Sequence, residues 1–417
     1  MAIGEGMNYA KPESSFDLNE LEYPPEVSFP GERGLRRSVV LISAMKNLLI
    51  AQVPVLRAAK GAFRLNRLKF LDGLRGWAAV FVLLYHVFCE SIPFDAEFGE
   101  RLQSLLPFSG AIAIFIFFLV SGFSLSYNYL LTADAKAWVR IAGGRYARLA
   151  VPIFFACATV HMAMLLGLFD PPAQRLPKFQ QMLDFSPTAD HLLTFSFYGV
   201  FFDYRHTYIG PLWTMRYELI GSYVALLAVV AVRATAWRQV WFAAVAVFLF
   251  ALAPDDYQML ALFPVGCALA DLYQRGASKS VSGTSGALFI VAAFAIRLFA
   301  PYNVASWGLA ATLFIVGCVC FPIALRLLES RFSGWLGEIC FPLYLFHGPV
   351  IWIVGEPLIR QAQSIGAKVA IDFVVIVLSI FAAWAFVWTD RAGIACARRL
   401  GASFSYLASK TVAAKPR

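Results

Sequence analysis

The sequence predicts an all-α integral membrane protein, a bundle of about ten transmembrane helices with both termini on the cytoplasmic side. Three observations predict it. Of 417 residues 59% are hydrophobic and 15% charged, with a mean hydropathy of +0.66. Soluble domains average about 45–50% apolar and about 25% charged, so an ordinary soluble fold is excluded. The apolar residues collect in runs of about 17–25, long enough as helices to cross about 30 Å of hydrocarbon. Lysine and arginine crowd into alternate connections between those runs.

Ten runs are legible, at roughly 73–90, 108–131, 147–169, 210–232, 236–253, 257–273, 284–300, 304–325, 333–354 and 369–389. Lipid offers the backbone no hydrogen-bond partners, so each run must be helical and packed in a bundle. The membrane domain is expected over 68–390, after an N-terminal extension at 1–67 and before a basic tail at 391–417. Residues 1–32 have no apolar core and hence no cleavable signal peptide; Glu13, Asp17, Glu20, Glu22, Glu26 and the prolines make that stretch an expected disordered, acidic start. Segment 38–56 is apolar but carries Lys46 and Asn47 at its centre and Pro54 near its end. A central lysine costs about 2.5–3.5 kcal/mol in a span, which favours an interfacial amphipathic helix over an eleventh crossing. No internal repeat is evident, and the one sizeable polar insertion is 170–209.

Orientation follows from the basic residues. Ten lysines and arginines lie in 33–75 and six from Arg391 onward; the connections at 132–148, 233–238, 271–283 and 326–332 add ten more. The alternate connections carry fewer over longer stretches, so the termini are read as cytoplasmic and Asp95, Glu97 and Glu100 as outside. The net charge of +9 is spread among apolar runs, which does not suit nucleic acid. The seven cysteines form no CxxC pair; Cys157, Cys267, Cys318, Cys320 and Cys340 read as buried free thiols.

Ionisable residues inside a span are costly and are functional candidates by default. Arg75 lies near the cytoplasmic end of the first run, and His86 follows about 16 Å further out at 1.5 Å per residue. Glu218 falls about 10 Å below the outer boundary of the fourth run, and His347 about 20 Å above the inner boundary of the ninth. Three titratable groups from three helices thus reach a similar depth, as a proton-handling site needs. Glu218 could instead neutralise Arg216, and His347 could simply bond across to a neighbouring helix. His161 reads as structural, and His191 and His206 as solvated loop residues. At the cytoplasmic mouth Arg140, Arg145 and Arg148 precede or open the third run; Arg145 and Arg148 share a helix face suited to bidentate phosphate binding, or to anchoring on anionic headgroups. No His/Asp spacing suggests a metal site.

Arg75 with His86, F-F-L-V-S-G-F at 117–123, Arg145-x-x-Arg148-x-x-x-Pro152, G-P-L-W-T-M-R-Y-E at 210–218 and L-G-E-I-C-F-P-L-Y-L-F-H-G-P at 336–349 occur in order over about 68–390. With them the chain resembles the membrane acyltransferase 3 family. Arg216 departs from the family pattern, where a smaller or apolar residue is usual. The resemblance implies transfer of an acetyl or other short acyl group from cytoplasmic acetyl-CoA (acyl-CoA) to a hydroxyl of a glycan or lipid-linked acceptor, in the plasma membrane or bacterial inner membrane. His86 would act as general base or carry the acyl group, and Glu218 would orient it. Arg75, Arg145 and Arg148 would hold the donor phosphates, and Ser121 would let the thioester pass. His347, Tyr344 and Trp213 would serve the acceptor. The other readings are a proton-coupled transporter or flippase of a lipid-linked glycan, and a non-catalytic membrane scaffold.

Overall fold

The computed structural model describes residues 68–176, 179–180 and 182–413. The acidic start at 1–32 and the interfacial helix expected at 38–56 lie outside the described residues. Within them every regular element is a helix and no strand occurs.

All ten apolar runs are helical. They form α1 (Lys69–Tyr85), α2 (Gly110–Thr132), α3 (Ala135–Leu165), α4 (Thr214–Val232), α5 (Arg238–Leu252), α6 (Leu262–Gln274), α7 (Gly283–Phe299), α8 (Val304–Cys320), α9 (Arg331–Val350) and α10 (Ile365–Ala385). An eleventh, α11 (Val387–Ala413), carries the basic stretch from Arg391 as one continuous helix. Several starts are set by side chains that satisfy orphan N–H groups. Asp134 accepts from Lys136 and Ala137, Ser282 from Ser285, Asn303 from Ser306, Ser330 from Ser333 and Ser364 from Ala367.

Among the described residues, six helices are long and apolar enough to cross a bilayer, or seven if α8 and Pro322–Leu328, bent by 94°, count as one span. The bend falls where Pro322 follows the extended residue Phe321. The expected count of ten is therefore not reached on length and composition. Helices α5 and α6 have 15 and 13 residues, a rise of only about 22 and 20 Å against about 30 Å of hydrocarbon. Runs of apolar sequence included the turns that lead into these helices, as in the 3-10 stretch Asp255–Ala261 before α6. In α3 the error runs the other way. The Asp134 cap starts that helix well before its apolar run, so Arg140, Arg145 and Arg148 lie within the helix rather than ahead of it.

With no hydrophobic drive between helices in lipid, close packing at small residues holds the bundle. A Cβ on Gly76 would collide with the backbone of Leu336 and Gly337, and one on Gly337 with the backbone of Asp72, so α1 and α9 cross almost backbone to backbone. Gly144 and Gly401 do the same for α3 and α11, facing the carbonyls of Ala397 and Arg140. The insertion at 170–209 is tied down at several points. Leu176 N donates to buried Glu356 at 2.8 Å, and Tyr208 Oη bonds both His161 on α3, at 3.0 Å, and His191 at 3.1 Å. His161 is buried, with Tyr208 as its partner. His191 is not a free solvated residue: burial, with His206 and His161 nearby, holds its pKa below the ordinary histidine value.

Candidate active site

Two adjoining regions collect the candidate residues. The first is a cavity of about 400 Å³ walled by α1, α2, α3, α4, α9 and α11. Arg75, Ser121, Arg145, Arg148, Glu218 and Tyr344 all line it. Arg140 and Trp213 do not. Trp213 packs edge-on against Tyr217 at 5.7 Å, and its neighbour Thr214 faces the cavity instead.

Three of the cavity arginines, Arg75, Arg145 and Arg148, are already engaged. Arg145 donates through Nη2 to Glu218 and through Nε to Ser222 Oγ at 2.8 Å, with Arg145 and Glu218 only 14% and 11% exposed. Arg148 pairs with Asp390 of α11 at 2.5 Å, its guanidinium 5.6 Å from the Phe341 ring centre. Arg75 donates to Ser124 Oγ at 2.6 Å. Glu218 also accepts from Ser121 Oγ at 2.5 Å. Arg216, by contrast, turns to the carbonyls of Phe201 and Phe202. Glu218 is thus the carboxylate that neutralises buried Arg145, and neither partners Arg216 nor bonds the imidazole of His86.

The second region is a pair of histidines. Helix α1 passes at His86 into a π-turn, His86–Ser91, and α9 passes just beyond His347 into another, Ile351–Gly355. Such widened turns recur at functional positions in helices. The two imidazoles lie 5.0 Å apart, centre to centre. His86 Nδ1 sits 2.5 Å from Glu90 Oε2, and Ser91 Oγ donates to the same oxygen at 2.7 Å. His347 is 1% exposed; its Nδ1 lies 3.0 Å from the Leu343 carbonyl, which leaves Nε2 buried and without a partner among the described residues.

Neither histidine lines the cavity; Tyr344 joins the two regions. Its ring stands 6.0 Å from that of His347, and its hydroxyl bonds Thr214 Oγ1 at 2.6 Å and donates to the Pro211 carbonyl. Imidazole held by a carboxylate on one nitrogen is the arrangement of a general base, and a guanidinium-lined hollow beside it is suited to a phosphorylated ligand.

The model of the acyltransferase 3 family, described as an acyltransferase domain, matches residues 68–388. The chain belongs to this family. It is a multi-pass membrane acyltransferase. O-acetyltransferase PaAT-1 of Phomopsis amygdali is 25% identical, the match covering 71% of this chain and 75% of that protein. No solved structure gives a significant match.

Sequence reasoning missed Glu90, although its spacing of four from His86 is the helical signal for a facing pair. It also missed Asp390, at the end of the expected membrane domain, and Arg391, at the start of the stretch read as a tail, both of which line the cavity.

Proposed function

We propose that this acyltransferase moves an acetyl or other short acyl group from acyl-CoA to an acceptor hydroxyl, making an ester. The donor's phosphates bind in the arginine-lined cavity, and its slim pantetheine arm extends past Tyr344 toward the histidines. His86, held through Nδ1–H by Glu90, accepts the hydroxyl proton on Nε2 as the alcohol oxygen attacks the thioester carbonyl. The tetrahedral intermediate collapses with loss of the CoA thiolate, which takes the proton back from His86. Glu90 stabilises the imidazolium in between. The vacant Nε2 of His347 is a ready acceptor for a second hydroxyl of the acceptor, next to the one that attacks. The observation that carries this reading is the run of neighbouring side chains from the guanidinium-lined cavity through Tyr344 and His347 to a carboxylate-held imidazole. The acyltransferase family sets aside the transporter and scaffold readings.

The acceptor we favour is a sugar hydroxyl of an envelope or exported glycan, in a plasma membrane or bacterial inner membrane. The clustering of lysine and arginine supports a cytoplasmic arginine mouth, with ten crossings and both termini on that side. The shorter helices would then cross where the bilayer thins around them.

The test is transfer of labelled acetyl from acetyl-CoA to candidate glycans by the purified full chain. His86→Ala should abolish transfer while CoA binding persists, and Arg145→Ala or Arg148→Ala should weaken CoA binding. Normal CoA affinity in both arginine variants would refute the donor assignment, and full activity of His86→Ala would refute the base.

A further inference from the structure

The three motif arginines do not by themselves make the cavity attractive to anions. Arg75, Arg145 and Arg148 line it together with four carboxylates, Asp72, Glu218, Glu338 and Asp390. Two of the three arginines are bound by carboxylates within that set, Arg145 by Glu218 and Arg148 by Asp390. On these residues alone the lining is net negative, which a polyphosphate would avoid.

The balance changes with α11. Val387, Asp390, Arg391 and Ile394 all line the cavity, and their spacing puts them on one face of the helix. Arg391 brings the lining to neutrality, and it is exposed, with no hydrogen bond or ion pair to the described residues. Its helix is not a loose tail at this level. Gly393 packs against Pro152, Gly144 fits under the Ala397 carbonyl, and Asp390 is clasped by Arg148. A free guanidinium is thereby held at the cavity wall on a fixed backbone, one residue from the carboxylate that occupies Arg148.

We infer that Arg391 of the C-terminal helix is a phosphate-binding residue of the donor site, acting beside Arg148. The inference rests on reading the cavity as the acyl-CoA site. It assigns a binding role beyond residue 388, where the family match ends. A donor phosphate between Arg391 and Arg148 would take the place of Asp390 as the partner of Arg148, so binding exchanges one ion pair for another and adds the unpaired charge of Arg391.

The experiment is calorimetric titration of CoA into the full-length protein in lipid nanodiscs, for wild type, Arg391→Ala, Arg391→Lys and Arg399→Ala. Arg399 is an exposed arginine of the same helix that does not line the cavity. Arg391→Ala should weaken CoA by about 10- to 100-fold, the range for a charge-assisted contact, and lessen the salt dependence of binding. Arg391→Lys, which keeps a point charge without the fork, should fall between, and Arg399→Ala should match wild type. If wild type binds CoA and Arg391→Ala binds it equally well, the inference is wrong while the donor site stands. Equal losses in Arg391→Ala and Arg399→Ala would also overturn it, as a general effect of surface charge. If wild type binds no CoA, the donor site itself fails and the inference with it.

Discussion

The contact between His86 and Glu90 lends itself to a sharp test, because glutamine at position 90 keeps the size and an acceptor oxygen but removes the charge. The two groups lie 2.5 Å apart with side chains 16% and 12% exposed, so little water is left to replace the carboxylate. A hydrogen bond to a charged group contributes about 1.5–3 kcal/mol. If that energy is realised when imidazole becomes imidazolium, it appears in the transition state and not in donor binding. Glu90→Gln should then lower kcat about 10- to 100-fold and leave KM for acetyl-CoA unchanged, since Glu90 does not line the cavity. The assay is steady-state transfer of labelled acetyl, normalised to folded protein by thermal melting in the same detergent. Glu90→Asp, which retains the charge, should recover part of kcat. Activity of Glu90→Gln within twofold of wild type, with His86→Ala inactive, would refute the pairing as catalytic. So would a loss that vanishes on normalising to folded protein.

Two further outcomes follow from groups away from that pair. Glu218→Ala leaves the Arg145 guanidinium buried without its carboxylate, and removal of one partner of a buried pair costs about 3–5 kcal/mol. The melting temperature should drop markedly, and the Arg145→Ala/Glu218→Ala double variant should lose less than the sum of the single losses; additive losses would show that the pair is not coupled. His191 titrates below the ordinary histidine value because the folded insertion buries it beside His206 and His161. The unfolded segment therefore binds the proton more readily, and the stabilising contribution is present above about pH 6.5 and is lost as pH falls toward the folded pKa. Protection factors over 170–209, corrected for the intrinsic pH dependence of amide exchange, should fall below about pH 6.5 in wild type and lose that dependence in His191→Phe; an unchanged pH response in the variant would remove His191 as its source.

The helical class and the position of each apolar segment were legible because lipid permits only one backbone solution over such runs. Span length was not, since hydropathy does not distinguish the helical part of an apolar run from its turns, as α5 and α6 illustrate. Among site residues, depth arithmetic brought His86 and His347 together, and they do stand ring to ring. It also put Glu218 at matching depth, but depth says nothing of which way a side chain faces. Glu218 turns toward Arg145, and the carboxylate four residues along from His86 takes the neighbouring place. Arg391 was hidden for a different reason. A basic stretch after the last apolar run reads as a solvated tail, and its small residues Gly393, Ala397 and Gly401 reveal a packed helix only when the partners on α3 are known.

The division into two regions has a chemical logic on the proposed reading. Water in a passage from the CoA mouth to a buried base would hydrolyse the thioester, so an empty site is better closed than open. Tyr344 stands between the two regions, lining the cavity with its ring 6.0 Å from that of His347 and its hydroxyl bonded to Thr214 at the start of α4 and to the Pro211 carbonyl. On this reading the phenol leaves one of these partners as the acyl carbon passes toward His86. The lost contact has to be offset by the arriving pantetheine arm, which means that remote binding of the donor's phosphates supplies the energy for opening. Substrate recognition at the arginines and chemistry at the histidines are then coupled through one side chain. A donor lacking its phosphates would lose turnover as well as affinity.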